Sequence, residues 1–79
     1  MLLTVEYKND SNNVSQGEIE IYCDKEGLDK LIKKLQSIKQ NGGHEHFMTP
    51  SWAGTELTES KQGKDTFLLH HLCIMLKGE

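Results

Sequence analysis

The spacing of the apolar residues changes at Asp24, and that change leaves few folds open to this chain. Before it, apolar residues recur at every second position. Leu3, Val5 and Tyr7 alternate with Thr4, Glu6 and Lys8, and Ile19, Ile21 and Cys23 alternate with Glu18, Glu20 and Tyr22. A period of two marks a strand with one face buried and one in water. Between the runs, Asp10-Ser11-Asn12-Asn13 supplies side chains that bond their own backbone and tolerate left-handed conformations. Residues 2–8 and 18–23 are therefore predicted to pair as an antiparallel hairpin.

From Asp24 onward the period becomes helical. Asp24 can cap the first free amides, and Glu26 adds negative charge at the positive end of the helix dipole. Leu28, Leu31, Ile32, Leu35 and Ile38 form one apolar stripe, with Lys30, Lys33, Lys34 and Lys39 mostly off it. Asn41-Gly42-Gly43 ends the run, either glycine being able to take the left-handed C-terminal position. A helix over residues 25–40 is ~24 Å long. A strand of about seven residues is ~23 Å. The helix can thus lie along the sheet and cover one face.

The second half reads as extended chain interrupted by turns. His44–Met48 is extended, Pro50 holds Thr49 extended, and Trp52-Ala53-Gly54 turns. A brief pairing at 55–58 and a polar loop at 59–65 follow. Residues 66–76 are apolar on both parities: Leu68, Leu72, Ile74 and Leu76 on one, Phe67, Leu69, Cys73 and Met75 on the other. This run reads as a strand, with a helix as its competitor because Leu, His and Met form strands weakly.

The prediction is a single α+β domain over 1–79 of order β-β-α-β-β, with a small antiparallel or mixed four-stranded sheet and one helix packed on one face. One helix leaves the second sheet face open. Phe67, Leu69, Met75 and Met48 are expected there, covered by the Trp52 loop, a second copy or a partner. With 79 residues, a chain buries only roughly 60% of its unfolded surface, so each apolar position counts.

A net charge of −3, from 12 acidic against 9 basic residues, lacks the basic footprint that nucleic-acid binding requires. Glu6 and Lys8 come too early for a signal-peptide apolar core, and no stretch approaches the ~18 consecutive apolar residues of a membrane span. A complete, untargeted cytoplasmic protein without membrane contact is expected. Cys23 and Cys73 form no Cys-x-x-Cys pair and read as reduced, buried thiols.

Chemistry is sparse. His44 and His46 lie two apart on one strand face and, with His70, His71, Cys23 or Cys73 near, would make a transition-metal site. They lack the close ligand pairs of structural zinc sites, and solvated imidazoles are the plainer reading, so no metal and no cofactor are assigned. His70 and His71 are expected on opposite strand faces. The cysteines sit at apolar positions, Ser51 lacks the Gly-x-Ser-x-Gly frame, and Gly42-Gly43 follows a helix, so it is no phosphate cradle. No catalytic residues are assigned. Trp52, in a Pro-stiffened turn, either caps the open sheet face or anchors a partner.

The run His-Phe-Met-Thr-Pro-Ser-Trp-Ala-Gly-Thr-Glu-Leu-Thr-Glu, residues 46–59, resembles a family of small bacterial immunity proteins from polymorphic toxin systems, the group numbered thirty-two. The likeness continues into 68–76 and, more loosely, into 24–35. Ala53-Gly54 stands where Gly-Gly is expected. The resemblance implies a cytoplasmic, non-enzymatic inhibitor that binds a cognate toxin domain. On that basis the contact surface is expected at His44, Glu45, His46, Thr49, Ser51, Trp52, Glu56 and Glu59, with Trp52 as anchor and Glu56 and Glu59 presenting charge. The alternatives are a homo-oligomer, a homodimer through the open sheet face, or a His-based metal-binding protein.

Overall fold

A computed structural model describes residues 1–78. The chain forms β1 (Leu3–Lys8), β2 (Glu18–Cys23), α1 (Lys25–Asn41), β3 (His44–Met48), β4 (Phe67–Leu69) and β5 (His71–Met75), with short 3-10 turns at Val14–Gln16 and Pro50–Trp52. The α+β class is as expected, but the sheet is divided. Three strands in the order β2-β1-β4 make one antiparallel sheet, and β3 with β5 makes another. No helix among the described residues is long and apolar enough to cross a membrane.

The division comes from a bend at His70. Leu69 pairs with Val5, whereas His71 pairs with Met48, so the last apolar run leaves one sheet and joins the other. Cross-strand partners share a face. Before the bend, Phe67 and Leu69 lie on the face of Tyr7 and Val5; after it, Leu72 lies beside Phe47 and points inward with Ile74. The inward parity thus changes from odd to even at His70. This explains why the run is apolar on both parities, which a continuous strand could not use without a second cover.

The core consists of Leu3, Val5, Phe47 and Leu57, with Cys23, Leu31, Leu69, Leu72 and Ile74 packed against them. Asp24 caps α1 by accepting from the Gly27 N–H at 2.7 Å. Gly27 faces the Leu2 carbonyl so closely that any Cβ would strike it. Gly42, at φ 74, ends the helix with its N–H on the Ile38 carbonyl.

The 55–58 segment forms no strand, yet it stitches the two sheets. Leu57 N–H donates to the Met48 carbonyl at 3.1 Å, and Thr58 N–H to that of Leu3 at 2.8 Å. The surface expected to be open is also distributed differently. Phe67 is exposed on the helix side of the larger sheet, Leu69 packs on the core, and Met75 and Met48 lie on the outward face of the smaller one. Cys23 and Cys73 are free and half-buried, not fully buried.

β1 departs most from its pattern. Thr4 and Glu6, expected on a solvated face, are fully buried. The loop after Leu57 folds over them. The Glu6 carboxylate accepts from the hydroxyls of Thr4 and Thr66, each at 2.6 Å, and from the N–H groups of Gln62 at 2.9 Å and Gly63 at 2.8 Å. Burial pushes this carboxyl upward, but the four donors outweigh it and bring the pKa from 4.5 down to about 2.

Candidate functional site

Five aromatic rings form a row on the outward face of the two-stranded sheet. His44 and His46 meet edge to face at 4.9 Å, and His46 lies 4.9 Å from His71. His71 is 5.7 Å from Trp52, which stacks on His70 at 6.4 Å with the rings 9° apart. Strand alternation puts His44 and His46 on the face opposite Phe47, and the register places His71 diagonally across from His46. The bend re-aims His70, so His70 and His71 flank the same indole rather than opposite faces of one strand.

Four of the five residues in the row are held by hydrogen bonds. Thr49 N–H donates to the His70 carbonyl at 3.0 Å, and the Thr49 hydroxyl meets His70 Nδ1 at 2.7 Å. The Thr49 carbonyl accepts from the N–H groups of Trp52 and Gly54, each at 2.9 Å. His46 Nδ1 and His71 Nε2 share a hydrogen bond of 2.7 Å. Pro50 opens the 3-10 turn, and Ala53 closes it in the left-handed region at φ 61. That is the position where the resemblance leads one to expect glycine, and a side chain is strained there.

Two glutamates close the loop from below. Glu56 accepts from Met48 N–H at 2.9 Å, and Glu59 from Ser51 N–H at 2.6 Å. The Met48 N–H lowers the Glu56 carboxyl below its ordinary range, and Ser51, through its side chain and N–H, does the same to Glu59. Their charge therefore holds the turn in shape as well as facing outward.

The eight residues expected to form a contact surface separate here. His44, His46, Ser51 and Trp52 are exposed on or beside the ring row, and Glu59 is exposed beneath it. Glu56 is half-buried at its Met48 contact. Thr49 is fully buried and so cannot meet a partner. Glu45 faces the helix, where Lys34 Nζ lies 3.6 Å from its carboxylate. Alternation along β3 requires this, since its neighbours His44 and His46 face outward.

Trp52 is 54% exposed, so it covers the bend at His70 without becoming core. His70 and His71, absent from the expected surface, lie in the same ring row. The signal for them was the double-parity apolar run, because a change of inward parity needs a bend and the bend falls between apolar positions. His46 and His71 are occupied with one another, and among the described residues no three His, Cys, Asp or Glu side chains are disposed to hold a metal ion.

A family model described as Immunity protein 32 matches residues 18–72. The matched stretch runs from β2 into β5 and includes the Trp52 turn and both histidines of the bend. No curated protein and no solved structure matches.

Proposed function

The chain belongs to the Immunity protein 32 family, and from that premise we propose that it is a cytoplasmic, non-enzymatic binding protein that neutralises a cognate bacterial toxin domain. The family match over residues 18–72 is the observation that carries this reading. The ring row is the surface we assign to the toxin, with Trp52 as its anchor and His44, His46, Ser51, His71 and Glu59 around it.

The physical support is preorganisation. An exposed indole gains most on binding when its loop is already ordered, because less conformational entropy is lost at contact. Trp52 is fixed by Pro50, by the Thr49 carbonyl and by the His70 ring. Tryptophan dominates interface energetics when it enters a pocket on the partner. The imidazoles beside it can donate or accept, so they suit a polar rim.

The test is to identify a toxin domain encoded next to this gene and to co-express the two. Growth protection and a one-to-one complex are expected, and Trp52→Ala should weaken the complex about 30-fold or more while the variant stays folded. Full toxicity on co-expression, or no complex with the purified toxin domain, overturns the proposal.

A further inference from the structure

A second surface lies away from the ring row, on the three-stranded sheet. β2 pairs only with β1, so its other edge carries unpaired backbone groups. Free edges are usually guarded by charged side chains, proline or a bulge. This one reads Glu18-Ile19-Glu20-Ile21-Tyr22-Cys23, without proline or lysine, and its charged residues are two glutamates on one face.

The two faces of β2 differ in character. Ile19 and Ile21 are 53% and 44% exposed. The register carries this apolar surface across the sheet from Ile19 through Tyr7 to Phe67, which is 68% exposed. The helix extends it. Lys30 reaches the Thr55 carbonyl and Lys34 reaches Glu45, so that flank of α1 faces β3. At 100° per residue, Leu28, Ile32 and Leu35 fall on the other flank, toward β2, and all three are exposed. The opposite face of β2 presents Glu18 and Glu20. Lys8 stands across from Glu18 in the register, yet among the described residues neither glutamate is in an ion pair. Their proximity shows in Glu18, which Glu20 holds above its ordinary carboxyl range by hydrogen bonding and charge.

We propose that the β2 edge and its apolar shelf dock an extended partner segment in which apolar residues alternate with lysine or arginine. A strand added beside β2 sets its side chains directly opposite those of β2 on each face. Apolar residues of the segment meet Ile19 and Ile21 and reach over the helix flank. Its cations meet Glu18 and Glu20, two carboxylates that Lys8 faces from β1 without forming an ion pair, Glu20 also accepting from the Tyr22 hydroxyl at 2.6 Å. A second copy is the poorer occupant, because symmetric pairing of two β2 strands lays one acidic face beside the other.

This inference stands apart from the toxin reading and is tested with a different probe. Isotope-labelled protein is titrated with a synthetic peptide of alternating lysine and valine. Expected are shifts in the amides of residues 18–23 and in the methyls of Ile19, Ile21, Leu28 and Ile32, with no binding of the alternating glutamate and valine peptide. The double variant Glu18→Lys/Glu20→Lys should keep its folded spectrum and bind the lysine peptide about tenfold more weakly. Equal binding of the acidic peptide, shifts confined to other strands, or no binding overturns the proposal. So does a concentration-dependent dimer whose contact is β2. Toxin binding without peptide binding would overturn this inference alone, and peptide binding without toxin binding would overturn only the function proposed above.

Discussion

Two loops lie over two sheets in this molecule, and each is fastened by glutamates that accept main-chain N–H groups. Over the three-stranded sheet, residues 59–66 fold onto Glu6, which is fully buried and takes four donors. Over the two-stranded sheet, the Trp52 turn is drawn in by Glu56 and Glu59 nearer the solvent. The bonding chemistry is the same, and the surrounding water sets its worth. A buried carboxylate that loses its donors, or donors that lose their carboxylate, leave polar groups stranded. At the surface, water replaces a lost partner. The first loop is thus tied to a buried carboxylate while most of its own residues stay in water, and the second displays a shaped aromatic surface.

The comparison breaks most visibly at Glu6. Glu6→Ala should cost roughly 3–5 kcal/mol by stranding four donors. That lowers the melting temperature by at least about 12 °C in a domain of this size. Glu6→Gln should fall between this variant and the wild type, since it keeps one acceptor, and thermal melts would rank the three. If Glu6→Ala melts like the wild type, the two loops do not differ as argued.

Acid should reveal the same contrast. The folded pKa of Glu6 is depressed from 4.5 to about 2, so the unfolded chain takes up the proton first. Its contribution to stability is complete above about pH 4.5 and is lost as the pH falls toward 2. Glu56 and Glu59 are also lowered and add in the same direction. Denaturant midpoints measured across that window should fall steeply for the wild type and more gently for Glu6→Gln, which has no proton to gain there.

Smaller effects are expected in the Trp52 turn. Ala53→Gly should stabilise by about 0.5–1 kcal/mol, the relief of left-handed strain exceeding the added entropy of the unfolded chain. Gly54→Ala should do the reverse, because a Cβ there strikes the Met48 carbonyl. Glu59→Gln should change stability less than either of those variants, because water replaces the lost charge at this exposed site. Trp52→Ala should leave stability within about 0.5 kcal/mol while weakening the toxin complex. Denaturation of the free protein and titration with the toxin separate these outcomes.

Much of the fold was legible because its signals are local. The β1–β2 alternation, the Asp24 cap, the helical stripe and the Gly42 stop each depend on residues within a few positions of one another. Two of the five stripe residues, Leu31 and Ile38, pack as periodicity requires. Leu28, Ile32 and Leu35 stay exposed because the helix covers too little of the small sheet. In the candidate site, alternation was enough to turn His44 and His46 outward and Pro50 to stiffen the turn. It would also have placed Glu45 inward, had the face of Phe47 been carried to its neighbours.

The sequence by itself determined the element types, the hairpin, the helix limits and the presence of an unusual Trp-bearing turn, since propensity, capping and period act over short distances. Only the tertiary structure decided that Glu6 is buried, that Thr49 is interior, and that the last run divides at His70 between two sheets. Each depends on groups far apart in the chain: Glu6 on Gln62, Gly63 and Thr66, and His70 on Thr49 and Trp52. A local pattern records which residues are apolar, but whether a polar one is buried depends on the donors that folding brings to it.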